Sequence, residues 1–172
     1  MTSNQQERPL AFVALGSNQG DSVQMVRKAM QRLQPFSTVP ILKSSLWETS
    51  PVDCPPGSPK FVNAVIGLRP GAGETPESLL RKLQAMEKEF GRPPKKILNE
   101  PRPLDLDLVA FGDELRQTAE LVLPHPRAHL RRFVLEPLNE IAPHLVLPGQ
   151  TQTVAQLLFA LSSDETLQRL PG

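Results

Sequence analysis

The sequence predicts an α+β domain with a ferredoxin-like βαββαβ core, a mostly antiparallel sheet and flanking helices. Three observations predict it. Apolar runs of strand length and two segments of 3.6-residue periodicity follow one another in the order strand, helix, strand, strand, helix, strand, and helices close the chain. The length of 172 residues, with 39% hydrophobic and 22% charged, suits one domain around one core. The 19 prolines are scattered through turns, so no low-complexity tract divides that domain.

Residues 1–9 are polar and are expected to form a flexible extension ahead of a single domain over 10–172. That extension has neither a basic n-region nor an apolar h-region, and no apolar run approaches the ~20 residues of a membrane span. A cytoplasmic protein without a membrane partner is expected. Net charge is +1, so no global field argues for nucleic acid, and any cationic site must be local. The lone Cys54 cannot form an internal disulfide, which suits a reducing compartment.

Leu10 to Leu15 reads as a buried first strand, and Gly16 to Asp21 as the turn that leaves it. Val23, Val26, Ala29, Met30 and Leu33 then recur at helical spacing, predicting a helix from about Asp21 to Gln34. Ile41 to Glu48 reads as a second strand. Prolines and Gly57 make Thr49 to Pro59 a loop, because they remove donors and loosen the chain. Phe61 to Leu68 alternates as a third strand, with Phe61 and Asn63 on one face and Val62 and Ala64 on the other. Thr75 and Pro76 open a second helix that runs past Gln84 and Glu87 to Phe90, where Gly91 is placed to end it. Gln84 and Glu87 share a face, and residue type alone makes that a solvated one. Arg92 to Pro103 is a loop; helices over Phe133 to Ile141 and Val154 to Leu161 precede a weak tail after Ser162.

The chemistry concentrates between Glu100 and Val109. On a strand Leu104, Leu106 and Leu108 point into a core while Asp105 and Asp107 point together the other way. Two carboxylates held so close suit a hard divalent cation such as Mg²⁺, which takes one or two carboxylates and completes its shell with water and substrate phosphates. The same pattern also serves a half-buried strand with a solvated acidic face. Context separates the two: Arg92, Lys95, Lys96 and Arg102 precede the pair, and His125, Arg127, Arg131 and Arg132 follow it. Cations around a metal-binding pair suit a nucleoside triphosphate that brings its own metal. Asn63 beside Phe61 suits a flat heterocycle needing stacking and paired hydrogen bonds.

Leu15-Gly16-Ser17-Asn18, Thr49-Ser50-Pro51, Phe61-Val62-Asn63-Ala64, Gly91-Arg92, Pro101 to Leu108, Pro124-His125, Arg131 with Phe133, and Pro137 to Pro143 occur in an order that resembles the 6-hydroxymethyl-7,8-dihydropterin pyrophosphokinases. The resemblance implies transfer of pyrophosphate from ATP to the pterin hydroxymethyl group, with AMP released, by a monomer acting on small molecules. It implies two Mg²⁺ ions on Asp105 and Asp107, and charge stabilisation by Arg92, Arg102 and Arg131. It implies a pterin pocket of Thr49, Ser50, Val52, Phe61, Asn63 and Phe133, and ATP contacts from Gln84, Glu87, Arg92, Arg102, Leu108, His125 and Arg131. The chain departs from the family pattern at Phe61, Pro94, Asn99-Glu100, Glu120 and Val122. A pterin- and nucleotide-binding relative with impaired turnover is therefore the alternative. An RNA-binding module is disfavoured, since the chain has no Tyr and little net positive charge.

Overall fold

A computed structural model describes residues 10–19, 21–49, 60–91, 103–162 and 166–171. Alternation along three runs builds the sheet. β1 (Ala11–Ser17), β4 (Phe61–Leu68) and β5 (Asp105–Phe111) each send one set of apolar side chains to a first face: Ala11, Val13 and Leu15; Val62, Ala64, Ile66 and Leu68; Leu106 and Leu108. Helices α1 (Ser22–Leu33) and α2 (Pro76–Glu89) cover that face with Val26, Ala29, Leu33, Leu79, Leu83 and Met86. Both helices start where polar side chains replace missing backbone partners. Asp21 accepts from the Gln24 N–H at 3.2 Å, and Thr75 and Ser78 form a reciprocal capping box behind Pro76. Gly91, at φ +91°, ends α2 in the left-handed region that glycine adopts without strain.

The second face carries α3 (Arg132–Ile141) and α4 (Val154–Ala160), which pack Val134, Leu135, Leu138 and Val154 against Phe12, Val65 and Ala110. With β2 (Leu42–Lys43), β3 (Trp47–Thr49) and a last strand, β8 (Leu167–Arg169), the sheet runs β5-β1-β4-β3-β8, β2 pairing with β4. A small hairpin of β6 (Arg116–Gln117) and β7 (Val122–Leu123) forms a second, two-stranded sheet whose Leu123 joins the main core. Every pairing among the described residues is antiparallel. The βαββαβ core and α+β class predicted from sequence are present.

Three boundaries differ from expectation. β1 continues through Gly16 and Ser17, which pair with Asn63 and Val62, so these two residues belong to the sheet and not to the following turn. The strand expected over Ile41 to Glu48 is broken at Ser44, whose hydroxyl accepts the Val65 N–H at 2.9 Å and so takes the place of a ladder carbonyl. The tail after Ser162 contains β8, three residues paired with β3, too short to leave a period in the sequence.

Candidate active site

Strand register assembles the site on the second sheet face. Directly paired residues of antiparallel strands share a face, so Gly16, paired with both Asn63 and Asp105, sets an amide and a carboxylate in one row across three strands. Trp47 extends the row on the far side of Asn63, and the neighbouring row is Val65, Ala14 and Asp107. Thr49 pairs with Phe61 at the end of β4. A register shift between Phe12 and Val13 falls beyond Asp107, so Asp105 and Asp107 keep strict alternation with Leu106 and Leu108.

Asp105 and Asp107 are both half-exposed, while Leu104, Leu106 and Leu108 are buried beneath them. Among the described residues no third His, Cys, Asp or Glu completes a cluster with them. A donor set of two carboxylates on a water-accessible strand face fits Mg²⁺, which retains waters and draws on substrate phosphate oxygens. Leu108 keeps its side chain in the core, at 4% exposure, so only its main chain is available to a nucleotide.

β5 is an edge strand, and two contacts close its free edge. Glu87, on α2, is 8% exposed and accepts the Leu106 N–H at 2.8 Å, between the two aspartates. The face shared by Gln84 and Glu87 is therefore not uniformly solvated: Gln84 is exposed and Glu87 is not. On the same strand the His125 N–H donates to the Val109 carbonyl at 2.8 Å, which sets the imidazole beside β5.

His125 Nδ1 accepts the Arg127 N–H at 3.2 Å, so the neutral ring carries its proton on Nε2. Burial, and then the positive charges of Arg131 and Arg127, hold its pKa below the ordinary 6.5, against the pull of Asp105. Arg131 lies over the Phe133 ring, 5.4 Å from its centroid, at the start of α3. Asn63 is 7% exposed, and its Nδ2 donates to Thr49 Oγ1 at 2.9 Å, which fixes the amide plane; Phe61 beside it is 37% exposed. Ser50, Val52, Arg92 and Arg102 lie outside the described residues.

Two groups not expected from sequence support the site. Glu140, near the end of α3, accepts from Trp47 Nε1 at 2.7 Å, from Ser45 Oγ at 2.7 Å and from the Ser45 N–H at 3.0 Å, and so ties α3 to the row containing Asn63. Gly16 is the other. A glycine inside a strand marks a close approach, and it is the pairing with Asn63 and Asp105 that puts Gly16 inside one.

A ferredoxin-like sheet with a half-exposed carboxylate pair on one face, an imidazole beside β5 and an arginine at the start of α3 has the donor set of a class of domains that suits a phosphorylated ligand and a divalent cation. The chain belongs to the 7,8-dihydro-6-hydroxymethylpterin-pyrophosphokinase family, whose model matches residues 12–143. It is 37% identical over 162 residues to a Synechocystis sp. protein named 2-amino-4-hydroxy-6-hydroxymethyldihydropteridine pyrophosphokinase, covering 94% of this chain and 81% of that one. It is 34% identical over 162 residues to the Haemophilus influenzae protein of the same name, covering 94% of this chain and 98% of that one. The solved Plasmodium falciparum HPPK-DHPS with pteroate superposes with a TM-score of 0.69 at 14% identity, over 88% of this chain and 42% of that one, a likeness of fold. The chain spans less than half of that longer structure.

Proposed function

We propose that this chain transfers the β,γ-pyrophosphoryl group of ATP to the hydroxymethyl oxygen of 6-hydroxymethyl-7,8-dihydropterin, yielding the dihydropterin diphosphate and AMP in folate biosynthesis. The observation that supports the reading is the row Asn63, Gly16, Asp105, in which an amide and a carboxylate lie two strands apart in a chain of this family. The new bond joins the hydroxymethyl oxygen to the β-phosphorus. The bond from that phosphorus to the α-bridging oxygen breaks, AMP leaves with the electron pair, and the hydroxyl proton passes to water.

Asn63 reads the pterin edge with Thr49 beside it and Phe61 and Phe133 on the ring faces, and Ser50 and Val52 are assigned to the same pocket on the strength of the sequence. Asp105 and Asp107 would hold two Mg²⁺ ions, which supply charge neutralisation on the phosphates and leaving oxygen. Neutral His125 donates from Nε2 to a phosphate oxygen, and Arg131 adds a fixed charge; Arg92 and Arg102 share that role on the strength of the sequence. Gln84, Glu87 and the Leu108 main chain belong to the nucleotide side. No side chain acts as general base in this scheme. Rate comes from alignment of the hydroxyl with the β-phosphorus and from charge stabilisation.

The domain acts as a cytoplasmic monomer on small molecules, without nucleic acid. Among the described residues no helix is long and apolar enough to cross a membrane.

The test is AMP release with ATP, Mg²⁺ and the dihydropterin, beside a control without pterin. Pterin-dependent AMP is expected, and its loss by a factor of about 10³ or more in Asp105→Ala/Asp107→Ala, a barrier increase of ~4 kcal/mol. Pterin binding without AMP would favour the impaired relative instead.

A further inference from the structure

The row Asn63, Gly16, Asp105 joins the ring pocket to the metal pair, and its middle member has no side chain. On this face the residues of β1 shrink from Phe12 to Ala14 to Gly16, and exposure rises with them. Phe12 is buried, but Ala14 and Gly16 are partly exposed although strands flank β1 on both sides. Asn63 stands on one side of this small-residue stretch of β1, and Asp105 and Asp107 stand on the other.

A methyl group on Gly16 would crowd one neighbour, the Asn63 amide. A Cβ on Gly16 would stand 3.0 Å from Asn63 Oδ1, and Asn63 is already committed through Nδ2 to Thr49 Oγ1. An alanine would therefore displace the amide by a few tenths of an ångström and occupy the space above the row.

We infer that Gly16 is a specificity-determining residue, the floor across which the one-carbon arm of the heterocycle lies between Asn63 and the metal pair. The inference rests on the pterin pyrophosphokinase reading given above. Asn63 and Asp105 stand two strand spacings apart, roughly 10 Å between backbones. That span matches a bicyclic ring held at its far edge plus one carbon and the attacking oxygen. Strand spacing thus acts as a ruler that selects the length of the arm.

Gly67 supplies the control. It lies on the same face of β4, and a Cβ there would meet Phe12 Cε1 at 3.1 Å and Leu42 Cδ1 at 3.3 Å, a similar crowding in the helix-covered half. Steady-state AMP release is measured for the parent, Gly16→Ala and Gly67→Ala, with unfolding midpoints for all three. Gly16→Ala should lower kcat/KM for the pterin by roughly tenfold or more, with the KM for ATP within about twofold of the parent. Gly67→Ala should lower the midpoint yet keep both constants within about twofold. A pterin kcat/KM within about twofold of the parent in Gly16→Ala, or an equal loss in Gly67→Ala, overturns the inference.

If Gly16→Ala does not fold, the ruler is tested on the unaltered chain with a dihydropterin bearing a hydroxyethyl arm. Its ring should bind within about tenfold of the hydroxymethyl compound, by pterin fluorescence, while AMP formation falls about a hundredfold. Comparable turnover of the two arms overturns the inference. A parent chain that binds pterin but makes no AMP refutes the reaction and not the floor. Pterin fluorescence then decides, and equal affinity in parent and Gly16→Ala overturns the floor as well.

Discussion

The second sheet face has two halves that differ by one step along the same three strands. In the first, Phe12, Val65 and Ala110 lie under Leu135, Leu138 and Val154, and side chains fill the space between sheet and helices. In the second, Asn63, Gly16, Asp105 and Asp107 replace them, and Ala14, Gly16 and both aspartates keep access to water. The β1–β4 pairing is shared by both halves and a register shift in the β1–β5 pairing falls between them, so strand pairing alone does not distinguish core from site. Side-chain volume and polarity do, and the strands supply the rigidity that a positioned constellation needs.

Truncation tests the covered half. Leu135 is fully buried, so Leu135→Ala should cost about 2–5 kcal/mol of unfolding free energy in a denaturant titration, with the pterin KM of the folded fraction unchanged. A large KM change at normal stability would break the division between halves. Glu87 tests the boundary. Glu87→Leu leaves the buried Leu106 N–H without that acceptor and should cost about 1–3 kcal/mol, whereas Glu87→Gln keeps an acceptor and should recover most of it. Equal losses in the two would show that the Leu106 bond is not what Glu87 contributes.

The smallest effect concerns pH. Because the folded state depresses the pKa of His125, the unfolded chain binds this proton more readily. The resulting contribution is therefore absent above the unfolded value of 6.5, and stability is lost as pH falls from there through the folded pKa. In an NMR titration His125 should titrate below 6.5 in the free protein and move upward when ATP and Mg²⁺ bind, because phosphate favours the charged ring. An unchanged or lowered value with ATP would remove His125 from the triphosphate site.

Much of this arrangement is legible in the sequence. Leu104 to Leu108 alternates without interruption, so both the buried leucines and the paired aspartates follow from period alone. Thr75 with Pro76, and Gly91, mark the ends of α2 because caps are local chemistry. Other features depend on contacts distant in sequence. Glu87 reads as surface by type but meets the edge of β5, and Glu140 finds Ser45 and Trp47 across the sheet. Gly16 reads as turn by type because only its pairing with Asn63 and Asp105 places it inside the sheet.

The central claim is that the polar half of the face serves chemistry while the covered half holds the fold. The most direct measurement is a paired one on Asp105→Asn/Asp107→Asn: unfolding free energy by denaturant titration, and pterin-dependent AMP release. The account predicts a change in stability of less than about 1 kcal/mol together with turnover reduced by a factor of about 10³ or more. Turnover near that of the parent, or a stability loss matching that of Leu135→Ala, would contradict it.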